Sequence, residues 1–250
     1  MVGGQRAHAG AVLFLPARVP IPVRSPDLVQ LSADTCVLTG HSGTSPVYDD
    51  TCLVLPPGNE SRLSFTYTCA PRAWPVDLSR IVNSPGVWSD NAVPSGPRIL
   101  GGVPFILPDG KYRGWQADVA AGGSARQVTL VIPVNRASVS RVYFLLNTEW
   151  GQPGPQSYLS LEFAGDKGAH FMKELVGGVD VRDYHHGIYV NTINGTTSRL
   201  AYQTTHAETI DMVEVDLPPA FANETLQTIA IHDTGRKNFQ RAILRAITVQ

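Results

Sequence analysis

Short runs of strictly alternating apolar and polar residues are the clearest pattern in the chain. Over residues 157–163, Leu159, Leu161 and Phe163 fall on one side of an extended chain, with Tyr158, Ser160 and Glu162 on the other. Over 212–217, Val213, Val215 and Leu217 alternate with Glu214 and Asp216. Period-two patterning of this kind predicts half-buried strands. Apolar runs rich in β-branched residues at 128–134, 142–146, 228–231 and 243–249 predict further strands. Pro133, which has no N–H to give a ladder, marks a bulge or an edge position in the first of them. Turn chemistry separates the runs: Pro108-Asp109-Gly110, Gly122-Gly123, residues 151–155 and 165–168, Gly177-Gly178 and residues 233–235. With 23 Gly and 19 Pro spread in this way, long helices have no room, and a single helical turn is expected near 78–82. The fold class this implies is all-β, an antiparallel β-sandwich or barrel.

If successive antiparallel strands follow one another from residue 128 onward, alternate connections emerge at opposite ends. The connections near 115–126, 150–156, 177–198 and 218–224 then share one end, and those near 135–140, 165–168, 206–210 and 233–238 share the other. That partition decides which distant residues meet. It gathers Trp115, Trp150, Tyr184, His185 and Tyr189 at one end, with Arg182, Asp183 and Asn191 beside them.

Composition narrows the function. Charged residues make up 16% of the 250, and the formal net charge is −1. A nucleic-acid partner is not expected, because neutralising phosphates needs a basic footprint. No apolar run reaches the roughly 20 residues that span a bilayer, so no membrane span is expected. Cys36, Cys52 and Cys69 lie in the first third without a C-x-x-C pair, which argues against structural zinc and fits one disulfide with one free thiol. Asn59, Asn194 and Asn223 open N-x-S/T sequons. Both features fit a secreted, extracellular location.

From Val76 to the end, the chain carries Val76-Asp77-Leu78-Ser79 followed by Asn83, then Gly102-Val103-Pro104-Phe105 and Val131-Ile132-Pro133-Val134. Residues 141–150 follow, then Val179-Asp180-Val181-Arg182-Asp183-Tyr184 and Arg245-Ala246-Ile247-Thr248-Val249. In this order these elements resemble a jelly-roll module found beside bacterial glycan-active enzymes and similar to galactose-binding-like carbohydrate-binding domains. Where that module carries two Trp after Val-Arg-Asp, this chain has Tyr184 and His185. The resemblance implies a jelly-roll sandwich over residues 70–250, preceded by an N-terminal extension and additional β segment over 1–69. It also implies a glycan or oligosaccharide partner, as part of a larger glycan-active protein.

The residue types agree with sugar recognition. A flat ring stacks on the C–H faces of a sugar, and planar polar groups read its hydroxyls. The expected ligand-binding residues are Trp115, Trp150, Arg182, Asp183, Tyr184 and His185, with no catalytic residue among them. The plainer alternative for Trp150 is an aromatic closing the core at a strand end. An enzyme would need paired carboxylates, for which Glu149, Glu162, Glu174 and Asp183 are the candidates, or an Arg182–Tyr184–His185 group acting as a lyase. An accessory domain without a ligand is the third reading. The spread of the histidines gives no transition-metal pattern, and no cofactor is expected beyond room for a structural Ca2+ with Asp77, Asn83 and Asp90 as conceivable ligands.

Overall fold

The computed structural model describes residues 21–23, 27–31, 34–43, 47–49, 52–55, 63–85, 94–109, 111–120, 122, 126–150, 159–185, 192–206, 208–235 and 240–250. The chain divides into two compact units, Met1–Arg72 and Ala73–Gln250. The first contains β1 (Ile21–Val23), β2 (Leu28–Gln30), β3 (Asp34–Gly43), β4 (Val47–Asp49), β5 (Cys52–Leu55) and β6 (Leu63–Pro71). These form two antiparallel sheets, ordered β1-β5-β4 and β2-β3-β6. Cys36 and Cys69 stand directly opposite in the β3–β6 ladder and are joined by a disulfide. Spacing along the chain leaves the pairing of three cysteines open, and the strand register decides it. Cys52 lies on β5.

The second unit contains β7 (Trp74–Val76), β8 (Gly96–Leu100), β9 (Val103–Leu107), β10 (Trp115–Gln116), β11 (Val128–Ala137), β12 (Arg141–Glu149), β13 (Leu159–Gly165) and β14 (His170–Leu175). It continues with β15 (Ser198–Gln203), β16 (Thr209–Asp216), β17 (Thr225–Asp233) and β18 (Arg241–Val249). Among the described residues the helical pieces are short: Ala117–Ala120, a 3-10 turn at Pro219–Asn223, and a turn in which Ile81 and Val82 donate to the Leu78 carbonyl.

Two antiparallel sheets make the sandwich. The first runs β10-β18-β12-β16-β15, with β7 also paired to β18, and the second runs β11-β17-β13-β14. From β10 to β14 and from β16 to β18 the chain passes between these sheets in the order of a jelly roll, with β15 added at the edge beside β16. Pro133 sits on the edge strand β11 next to a register shift, so both devices that admit a proline are present.

The inner faces meet through Phe144 of the first sheet and Phe163 of the second, edge to face with ring centroids 6.1 Å apart, and Phe171 stacks on Phe163 at 5.9 Å. The first sheet is covered on its outer face as well. Tyr143, Leu145, Ile210, Met212 and Ile243 pack there under Val103, Phe105 and Leu107 of the β8–β9 hairpin. Burial on both faces explains why 142–146 reads as a continuous apolar run and why β18 is buried along its whole length, Arg245 and Thr248 included, while β13, with an open outer face, alternates. The hairpin closes through Gly101 and Gly102, both at positive φ, as a tight two-residue turn requires.

The partition of connections differs from the sequence expectation. One end of the sandwich is fixed by Glu149 of β12 lying opposite Arg241 of β18, and by Leu159 of β13 opposite both Leu175 of β14 and Asp233 of β17. Because Gln203 pairs with Thr209, the β15–β16 connection around His206 also belongs to this end, as does the β17–β18 connection after Asp233. The 217–224 connection belongs to the opposite end. The cause is residues 176–197. β14 finishes at the Glu149 end, yet β15 begins opposite Val213 in mid-sheet and runs toward that end again. The connection therefore contains a traverse of its own, and every later reversal changes ends.

Candidate functional site

The two strands β12 and β16 pair from Arg141–Asp216 to Leu145–Met212 and then part. The fork is held by a buried polar network. Asn147 accepts the Asp211 N–H at 3.0 Å and donates Nδ2 to Asp211 Oδ2 at 2.7 Å. Arg182 donates Nε and Nη2 to the two oxygens of the same carboxylate, each at 2.7 Å. Side chains thus replace the strand pairing that stops here, and Asp211 is fully buried.

Residues 182–184 lie along β12 at this fork. Thr148 N–H donates to the Arg182 carbonyl and Tyr184 N–H to the Thr148 carbonyl, both at 2.9 Å, making a short parallel bridge between Thr148 and Asp183. The Tyr184 carbonyl accepts the Thr209 N–H at 2.8 Å, which ties the segment to the start of β16 as well. The bridge brings Trp150, two residues past Thr148, to the end that carries Tyr184. Trp150 adopts φ 60° directly after β12 and the residue is 43% exposed.

Polar groups at this end are oriented by further bonds. Ser84 Oγ donates to Gln116 Oε1 at 2.9 Å, which turns the Gln116 amide so that Nε2 donates to Glu149 Oε2 at 2.8 Å. Burial pushes the Glu149 carboxyl above its ordinary range, and the neighbouring Asp118 and Asp183 add to this. The Gln116 bond and Arg241 act in the opposite direction. The Tyr184 phenol is pushed up to about 12 by burial and by Glu149, Asp183 and Glu208. Asp233 is raised by burial although it accepts the N–H groups of Gly235 and Ala242, at 2.8 and 2.7 Å.

A carboxyl whose folded-state pKa is raised favours the folded state below its unfolded value and gives that up as pH rises through the folded one. Glu149→Gln keeps the acceptor for Gln116 and removes the charge. Its melting temperature is expected to exceed that of the parent at pH 7, with the gap closing as pH falls toward about 4.5, the ordinary glutamate value, and gone below it. Melting curves across that range check it, and an equal gap at every pH would refute it.

The residues singled out from sequence divide as follows. Trp150, Arg182, Asp183, Tyr184 and His185 come together at the forked end. Asp183 is buried and accepts the His185 N–H at 2.8 Å, and His185 is exposed. Trp115 is a correction: it lies opposite Leu244 on the inner face and packs in the sandwich core at 4% exposure, so it offers no ring to solvent. Strand β10 reaches only Trp115 and Gln116, too short for alternation to reveal which side faces inward. The residues that sequence reasoning missed are Asn147, Asp211 and Gln116. A polar residue inside the apolar run of β12 and an acid beside Ile210 and Met212 were the available signals. Tyr189, Asn191, Trp88, Asn59 and Asp90 lie outside the described residues.

Of the conceivable calcium ligands, Asp77 accepts the Ser79 N–H, and Asn83 pins β10 by accepting the Gln116 N–H and donating to its carbonyl. Among the described residues, no group of three or more His, Cys, Asp or Glu side chains is placed to hold a metal ion. None of their helices is long and apolar enough to cross a membrane.

The class that this geometry defines is an all-β antiparallel sandwich with a forked sheet at one end. No family model matches the chain, and no curated protein matches it.

Proposed function

We propose that the forked end binds glycans without cleaving them. The observation that carries this reading is the exposed Trp150 indole at the end where residues 182–184 are locked against β12. An aromatic ring held at the rim of a rigid sheet gives a sugar a stacking surface with little entropy to lose, and the part-exposed Glu149 supplies a planar polar group nearby. The order of sequence elements similar to carbohydrate-binding modules supports the same reading. The Cys36–Cys69 disulfide fits a secreted protein acting outside the cell, and the same likeness supports a place within a larger glycan-active protein.

A glycan array followed by titration calorimetry tests it. Trp150→Ala and Tyr184→Ala are each expected to weaken a hit about tenfold, roughly 1.4 kcal/mol, with the circular dichroism spectrum unchanged. If both variants stay folded and bind like the parent, the site is misplaced.

Glu149 favours a second reading, glycan cleavage with this carboxyl as the proton donor, because its raised pKa keeps it protonated to higher pH than an ordinary glutamate. Release of reducing ends from a bound glycan by the parent, abolished in the Glu149→Gln variant, would favour cleavage over binding alone.

A further inference from the structure

Acidic sugars carry carboxylate or sulfate groups, and proteins read such planar anions best with a guanidinium fork, whose paired donors match the paired acceptors. Among the described residues, the guanidinium groups bordering Glu149 and Tyr184 belong to Arg182 and Arg241. Neither turns its fork outward. Arg182 spends Nε and Nη2 on Asp211, and its side chain is 16% exposed. Arg241 gives Nε to Asp118 and Nη1 to the Gln240 carbonyl, each at 2.7 Å, and its side chain is 4% exposed.

Carboxyl groups lie around the Tyr184 phenol instead. Glu149, Asp183 and Glu208 all bear on the Tyr184 phenol, and Asp118 and Asp183 bear on Glu149. A phenol and a carboxyl thus sense a field of the same sign. Ionised carboxylates are acceptors only, so they take hydrogens from sugar hydroxyls and repel a second anion.

Resting on the glycan reading above, we propose that the forked end takes neutral glycans and rejects acidic ones, because both bordering arginines are committed to aspartate and carbonyl partners while the part-exposed Glu149, with the buried Asp183 and Glu208 behind it, puts carboxyl groups around Tyr184. The sugar's hydroxyls donate to Glu149, and its apolar face stacks on Trp150.

The experiment is a paired comparison by titration calorimetry. Neutral oligosaccharides that bind on the array are measured beside the same oligosaccharides with one primary alcohol oxidised to a uronate. The acidic form is expected to bind at least tenfold more weakly, and part of the loss should return at 0.5 M salt, where exposed charges are screened. An acidic form binding as tightly as its neutral parent overturns the proposal. If the acidic form binds tightly and Trp150→Ala abolishes that binding, the glycan site stands and only its preference for neutral sugars is lost. If no glycan of either kind binds, both readings fall together.

Discussion

Asp211→Ala is expected to destabilise the second unit by about 3–5 kcal/mol, the cost of leaving a buried charge without its partner. The carboxylate is fully buried and takes three side-chain bonds, from Arg182 Nε, Arg182 Nη2 and Asn147 Nδ2, all at 2.7 Å. Removing it strands a guanidinium that reaches little solvent and a carboxamide that reaches none. The loss comes from the orphaned partners more than from the missing attraction, so the effects should be strongly non-additive. Arg182→Met combined with Asp211→Leu should cost much less than Asp211→Ala alone, since replacing both members with apolar groups removes the uncompensated charge. Urea denaturation of the two variants and the parent checks this. A double variant at least as unstable as Asp211→Ala would show that the network is not what holds the fork.

Phe163→Ala should cost a similar amount, about 3–5 kcal/mol, by a different route. Phe163 is fully buried and touches both Phe144 across the sandwich and Phe171 along its own sheet. Its truncation removes apolar contact from both sheets at once and leaves a cavity that neighbouring strands, fixed by their ladders, cannot fill. For a unit of this size each kcal/mol lowers the melting temperature by roughly 2–4 °C. Val131→Ala is the control. Val131 lies on the open face of the second sheet at 56% exposure, and its truncation should stay within about 0.5 kcal/mol. Calorimetric melting of both variants separates core packing from strand propensity, and a Val131→Ala loss equal to that of Phe163→Ala would mean that the outer face is covered.

These effects mark how far the sequence alone reaches. Leu159, Leu161 and Phe163 announce a one-sided strand because period two is a local property of extended chain, and the same holds for Val213 and Val215. The continuous apolar run 142–146 of β12 is equally legible once a sheet with two covered faces is allowed. Pro133 is legible as well, since a missing N–H excludes a central, regular position.

Which strands neighbour one another is not local. The 176–197 connection hides a traverse of the sheet, so counting reversals sends the connections near 206–210, 218–224 and 233–238 to the wrong ends, although Trp150 and Tyr184 still share one. Trp115 is apolar and aromatic whether it stacks on a ligand or fills a core, and only the pairing of β10 with β18 puts it inside. Asn147 and Asp211 are 64 residues apart, and no spacing rule joins them. Their meeting follows from where β12 and β16 separate, which depends on the twist and packing of the whole sandwich. Alternation and turn chemistry act over a few residues and determine the strands. Register between distant strands is a free energy shared by both sheets, and it alone decides which side chains stand at the fork.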